Sequence, residues 1–298
     1  MSPPRLFCSD AARLRGDDST ATTARTDVWF VVEFPGTWGR TPLFDAALPP
    51  AVRTALQDAL AAVPRSRVLF IRRRLEPAAE NRRVYIARSA PRPSITSFDV
   101  PSIEDVANLP LIAEALHPSS FLLHPLMLVC THGQRDSCCG RRGYPLYDAL
   151  CKREDLDVWQ CSHVGGDRFA ANAVVLPWGL YYGPVEPRDA APLADAVGRD
   201  EIFLPAYRGR SSLPRVGQAA ETFVRRETGL AARDALRMTL REPLAEGRTH
   251  VQLRETDGTL HDVTIEQYVA VESALLTCTA ASADAIPQFR LIQHSITR

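Results

Sequence analysis

The stretch that decides the reading is LMLVCTHGQRDSCCGRRGYPLYDAL, Leu126–Leu150. Its first five residues are apolar and uninterrupted, the signature of a short buried strand, and they end on Cys130. A polar loop containing Gly133 follows, and Cys139 lies nine residues after Cys130. A strand terminus is rigid, and a glycine-bearing loop can turn backbone N–H groups inwards, so the two thiols are placed for a metal or a cluster. Further on, CSHVGGDRFAAN brings Cys161, His163 and Asp167, with His163 24 residues after Cys139. His163 and Asp167 are four apart, so a helical turn here would set them on one face.

The cysteine distribution points the same way. Of seven cysteines, Cys130, Cys138, Cys139, Cys151 and Cys161 fall within 32 residues, whereas Cys8 and Cys278 are outliers. Such crowding suits metal or redox chemistry better than packing, and a chain read as cytoplasmic does not suggest a disulfide scaffold. Cys138, Cys151, Cys8 and Cys278 read as spare or packing thiols, small buried hydrophobes. No CxxC pair is present, which argues against dithiol chemistry of the thioredoxin type.

Around this centre the chain has 298 residues, 45% hydrophobic and 23% charged, the profile of a soluble globular protein able to build a core. No apolar run is long enough to cross a bilayer, and the start, MSPPRLFCSDAARLRGDD, lacks the apolar core of a secretory signal. The expectation is a cytoplasmic protein with no membrane partner. Thirty-five basic residues balance 35 acidic ones, and Lys152 is the single lysine, so nucleic-acid binding is not indicated. Arg72-Arg73-Arg74 reads as a solvated strand end.

The first half repeats the plan of the second. Residues 9–26 read as a loop-rich entry. Val28–Phe34 is a buried strand stopped by Pro35-Gly36, PLFDAAL (Pro42–Leu48) answers PLYDAL (Pro145–Leu150), and a helix is expected over Pro50–Val63 with strands at Val68–Arg72 and Arg83–Ala87. Superposing the halves sets Glu33 against Cys130, with 15 residues to the proline in the second half and nine in the first. Strands at Val158–Cys161 and Ala173–Leu176 and a helix near Leu213–Arg226 complete the second unit. Two thioredoxin-like α/β units related by duplication account for this order. Asp257-Gly258 between Val251–Thr256 and Thr259–Ile265 signals a hairpin in a small β-rich C-terminal extension. The expected division is 1–120, an N-terminal thioredoxin-like unit without ligands; 121–232, the ligand-bearing unit; and 233–298, the extension. Trp38, Trp159 and Trp178 read as core or edge aromatics.

These segments resemble the sucrase/ferredoxin-like family, the thioredoxin-like [2Fe-2S] ferredoxins. The resemblance rests on Cys130–Cys139 as CxHGxRDxxC, Gly143-Tyr-Pro145, Ser162–Asn172 as SHxGGxRFAxN, Tyr207–Pro214 as YRGRSxLP, and EFPGTWG (Glu33–Gly39). It implies a thioredoxin-like fold carrying a [2Fe-2S] cluster on two cysteines and two histidines. Cys130, Cys139 and His163 match three of these ligands, and Asp167 stands where the family has its second histidine. The fourth ligand is then Asp167 through a carboxylate oxygen, or Cys161, or the cluster is lost. A carboxylate in that place would lower the reduction potential, since an anion disfavours the added electron.

Beside the ligands, His132 either hydrogen-bonds near the cofactor or holds the loop. Arg135 pairs with Asp136 as a loop brace, and Arg168 and Asn172 fix the loop after His163 or meet a redox partner. The function expected is one-electron transfer with an unidentified redox partner protein. Thiol oxidoreductase chemistry, a Zn²⁺ site built from the same residues, and a cofactor-free module are the alternatives. No pair of carboxylates suits glycoside hydrolysis, so no hydrolase activity is expected.

Overall fold

The computed structural model describes residues 6–73, 81–120, 124–270 and 272–298. Arg74 lies outside the described residues. The chain opens with helix α1 (Cys8–Arg15), ended by Gly16 at φ 69° in the left-handed region. This corrects the loop-rich reading of 9–26. The helix is polar and short, so it carries little apolar periodicity, and it is held by packing of Cys8 and Ala12.

Then follow β1 (Val28–Glu33), α2 (Pro42–Asp45), α3 (Pro50–Ala62), β2 (Ser66–Arg72), β3 (Arg82–Arg88), β4 (Ser94–Val100) and α4 (Leu111–Leu116). The second half runs β5 (Leu126–Cys130), α5 (Ser137–Leu150), β6 (Asp157–Cys161), β7 (Ala173–Leu176), β8 (Leu180–Tyr182), α6 (Ala190–Gly198), β9 (Tyr207–Arg210) and α7 (Arg215–Thr228). Four antiparallel strands close the chain: β10 (Leu236–Pro243), β11 (Arg248–Glu255), β12 (Leu260–Val269) and β13 (Pro287–Thr297).

The two halves share one topology. In the first, β1 pairs parallel with β2 and antiparallel with β3, which pairs antiparallel with β4. In the second, β5 pairs parallel with β6 and antiparallel with β7, which pairs antiparallel with β8. Each is the βαβ-plus-hairpin order of a thioredoxin-like unit. Glu33 and Cys130 end the equivalent central strands, the correspondence expected from the sequence. The units join edge to edge where β2 meets β6 antiparallel, with Ile71 opposite Cys161 and Arg72 opposite Gln160. The result is a nine-stranded sheet ordered β4-β3-β1-β2-β6-β5-β7-β8-β9.

Side-chain alternation explains how this sheet is filled. Phe30 and Val32 of β1 face α3, where Val52, Leu56 and Ala59 cover them. Met127 and Val129 of β5 face Leu146 and Leu150 of α5. The intervening residues, Trp29 and Val31 from one half and Leu128, Trp159 and Val174 from the other, form one common cluster, so the sheet curls and its inner faces meet. Trp29 reaches Tyr181 of β8 at 6.1 Å between ring centroids. Full burial of each such side chain contributes about 1.5–3 kcal/mol. Trp38, Trp159 and Trp178 are buried as expected. Cys151 is exposed, against the expectation of a buried thiol, because it follows the last turn of α5 at the surface.

The C-terminal strands form a separate meander, β10-β11-β12-β13. Its apolar face, Val251, Leu253, Val263 and Ile265, packs on Ala219, Ala220 and Val224 of α7. The chain turns at Asp257-Gly258, where Gly258 takes φ 97° and Thr259 N donates to Asp257 Oδ1 at 2.9 Å.

Candidate metal centre

The sequence builds the site at one end of β5. An unbroken apolar run fixes the strand, and its last residue, Cys130, is buried. The loop 131–136 turns back, and Asp136 caps α5 by accepting from Cys138 N at 2.9 Å in an extended conformation. Cys138 and Cys139 therefore occupy the first turn of α5. Gly143 lets that helix lie against the strand end, since a Cβ there would fall 2.0 Å from Cys130 O.

Three donor atoms converge: the ligand atoms of Cys130, Cys139 and His163 all lie within 4.8 Å of one another. The Cys139 sulfur is 3.7 Å from His163 Nδ1 and donates to Asp167 Oδ1 at 3.4 Å. Asp167 Oδ1 also stands 3.1 Å from His163 Nδ1. No helical turn produces this contact. The chain from His163 to Asp167 bends through Gly165 at φ 95° and Gly166 at φ 80°, and only Asp167–Phe169 forms a short 3-10 turn. Cys161, register partner of Cys130, is fully buried in the inner core, and its sulfur is not among the converging donor atoms.

Electrostatics follow from burial and contact. The Cys130 thiol is held well below its ordinary range by its contact with Cys139, against the penalty of burial, with His163 and the His132 backbone assisting. The same contact and burial raise Cys139 in turn, so the two thiols titrate as a linked pair. Burial raises Asp167 and, more strongly, Cys161.

His132 spends both ring nitrogens on backbone. Its Nδ1 accepts from His163 N at 3.2 Å, which leaves the proton on Nε2 to donate to Gly39 O at 2.6 Å. Burial lowers its pKa, keeping the ring neutral. Arg135 is exposed and lines a cleft of about 360 Å³ between the halves, beside Arg40, Arg67, Phe70, Ser162 and His163. The brace expected between Arg135 and Asp136 does not form: the buried carboxylate accepts from Cys138 N and Cys278 N instead. Arg168 lies 3.3 Å from Asp17. Asn172 donates to Gly166 O at 2.9 Å and accepts from Arg208 Nη1 at 2.6 Å, fixing the loop after His163.

The donor chemistry is compatible with an iron–sulfur site: two enclosed thiols, an imidazole and a buried carboxylate that meets the imidazole and a thiol. Sequence reasoning missed the structural weight of Arg208, which has no exposure and also bonds Gly165 O and Thr22 O. The YRGR run was its only signal.

A thioredoxin-like α/β pair with a Cys/Cys/His donor set at a strand end defines the class of protein. A family model described as sucrase/ferredoxin-like matches residues 20–209, and the chain belongs to that family. Among curated proteins it is similar to altered inheritance of mitochondria protein 32 of Debaryomyces hansenii, 36% identical over 95 residues, covering 28% of this chain and 35% of that protein. The namesake protein of Meyerozyma guilliermondii is 33% identical over 95 residues, with 28% and 34% covered. The chain thus spans about a third of the length of the curated relatives it matches. Among solved structures, a thioredoxin-like [2Fe-2S] ferredoxin from Aquifex aeolicus matches with a TM-score of 0.28 and 15% identity, over 30% of this chain and 96% of that one.

Proposed function

We propose that the chain is a one-electron carrier that holds a [2Fe-2S] cluster through Cys130, Cys139, His163 and Asp167. The observation that carries this reading is the convergence of three soft and borderline donors from β5, α5 and the loop after β6, with Asp167 Oδ1 touching two of them. Cys161 is the weaker candidate for the fourth position because its sulfur lies outside that set. A bound cluster supplies a one-electron couple. The protein's residues do the rest: Cys130 and Cys139 would bind as thiolates, the inner core excludes water, and His132 fixes the backbone at His163.

Of the three converging residues, His163 is the one that opens onto the cleft, where Arg40, Arg67 and Arg135 stand around it. Electron exchange through this edge suits a redox partner protein with an acidic face. The ligand-bearing unit is taken as 121–232, with 1–120 as its wall and 233–298 as the extension. No helix among the described residues is long and apolar enough to cross a membrane. A cytoplasmic setting, which keeps thiols reduced, suits seven free cysteines.

The test is anaerobic purification of the full chain. Red-brown protein with two irons and two sulfides per chain, lost in Cys130→Ser and His163→Ala, supports the carrier. Colourless, iron-free protein that cannot be reconstituted with iron and sulfide overturns it, and an oxidisable Cys130/Cys139 pair in that material would establish thiol oxidoreductase chemistry instead.

A further inference from the structure

A second donor set lies on the other side of the α5 N-terminus. Cys8 begins α1, Cys138 is the second residue of α5, and Cys278 belongs to the segment between β12 and β13. Their sulfurs form a triangle with edges of 3.2 Å (Cys138–Cys278), 3.5 Å (Cys8–Cys138) and 3.6 Å (Cys8–Cys278). The Asp136 carboxylate closes the figure, with Oδ1 3.9 Å from the Cys8 sulfur and all four donor atoms within 4.8 Å of one another. From this geometry we propose a structural zinc site with Cys8, Cys138 and Cys278 as thiolate ligands and Asp136 as the oxygen ligand.

Packing alone gives a poor account of the cluster. Thiols are weak hydrogen-bonding groups, so three of them facing a common point gain little from one another, and packing does not explain why they converge on one carboxylate. Asp136 is 1% exposed, Cys138 0% and Cys8 3%. A divalent cation at the centre gives all four donors a common partner and offsets two of their four negative charges, and the backbone N–H groups of Ser9, Cys138 and Cys278 that donate to the ligand atoms face the remainder. Zinc–sulfur bonds of about 2.3 Å in a tetrahedron set sulfurs about 3.8 Å apart, a few tenths of an ångström beyond the observed edges. Three thiolates and one carboxylate fill a tetrahedron, with Cys278 the partly exposed member at its outer edge, and such soft donors select zinc over magnesium or calcium.

The outer bonds have the form that orients ligands. Cys278 N donates to Asp136 Oδ2 at 2.7 Å, Cys138 N to Asp136 Oδ1 at 2.9 Å, and Ser9 N to the Cys138 sulfur at 3.4 Å. Asp10 pairs with Arg142, and Arg40 donates to Thr279 Oγ1 at 2.9 Å, so each arriving segment is anchored beside its cysteine. The ligands come from positions 130 and 140 residues from Cys138, so the ion would tie both ends of the chain to the helix that carries Cys139. Cys138 and Cys139 are neighbours in sequence, yet they face different centres.

The test measures zinc on the untagged full chain, purified anaerobically with zinc in the growth medium. One zinc per chain is expected, with three sulfurs and one oxygen in its first shell by X-ray absorption. A shell of two sulfurs with imidazole nitrogen would place the metal at Cys130, Cys139 and His163 and overturn the assignment. Cys8→Ser and Cys278→Ser should each weaken zinc binding by more than the roughly 10–100-fold that loss of an outer-shell partner costs, while iron, sulfide and the visible spectrum stay unchanged. Zinc-free wild-type protein, zinc retained in both variants, or a disulfide among the three cysteines as the isolated form would each sink the proposal. The wild-type absorption measurement needs no variant to fold. Because iron and zinc are read separately, failure of this site and failure of the carrier reading give different results.

Discussion

Arg208 on β9 donates to Asn172 Oδ1 at 2.6 Å, and through it the last strand of the curled sheet grips the loop that carries His163 and Asp167. The same guanidinium bonds Gly165 O and Thr22 O, so one fully buried arginine ties together three segments. Removing it leaves buried acceptors without donors, each costing about 1–3 kcal/mol. Arg208→Ala is expected to lower thermal stability and to abolish iron retention. Arg208→Lys should not restore it, because an ammonium lacks the planar fork. Calorimetry and iron content on the two variants check this, and full iron content in the lysine variant would refute it.

The donor at Asp167 is accessible to substitution. Asp167→Ala should change the visible and paramagnetic spectra, whereas Cys161→Ala should leave both unaltered. Asp167→His replaces an anion by a neutral ring and should raise the reduction potential, measured by anaerobic titration. An unchanged spectrum in Asp167→Ala would remove this carboxylate from the ligand set.

Glu221 gives a test of stability against pH. The carboxylate is fully buried, and burial alone would raise its pKa. Arg210 and Arg225 outweigh that and hold it below 4.5, with Arg210 Nη2 and Arg225 Nη2 at 3.1 and 3.0 Å from Oε1. Tyr207 Oη donates to Oε2 at 2.9 Å. A group with a depressed folded pKa contributes fully above its unfolded value and loses that contribution as pH falls through the folded one. Glu221→Gln should therefore cost about 3–5 kcal/mol at neutral pH. The gap to wild type should narrow below about pH 4.5, as denaturant midpoints at several pH values would show.

The arginines around His163 predict how electrons leave. Oxidation of the reduced protein by ferricyanide, a small anion, should slow as salt rises, and Arg135→Glu should slow it by about tenfold at low ionic strength. Arg135 is exposed, and its one hydrogen bond among the described residues runs from its backbone N–H to His132 O, which a side-chain replacement keeps, so the fold should stay intact. Stopped-flow rates independent of salt would disconnect the cleft from the electron path.

Much of this architecture was legible because the central strands are buried on both faces. Leu126–Cys130 and Ala173–Leu176 appear in the sequence as unbroken apolar runs and fold over those same residues. β10 and β13 escaped notice because they are half-exposed and carry arginine, glutamate and glutamine between their apolar residues. β8 is only three residues long. At the candidate centre, Cys130, Cys139 and His163 were visible as spaced motifs, and the structure brings their donor atoms together. The triangle of Cys8, Cys138 and Cys278 was not visible, since partners more than 100 residues apart leave no local pattern. Asp136 has the residue type and extended conformation of a helix cap, a signal present in the sequence and read there as half of an ion pair.

The narrow seam between β2 and β6 has a consequence for any attempt to shorten the protein. Ser162 N donates to Phe70 O at 2.8 Å and its hydroxyl accepts from Phe70 N at 3.0 Å, one residue before His163. His132 is pinned to Gly39 across the same boundary. The half that bears none of the Cys130, Cys139 and His163 donors therefore closes the sheet edge and half the pocket of the half that does. Cut free, residues 121–232 would present a bare strand edge and a wet, unpinned imidazole, and such a fragment should aggregate before it could carry an electron.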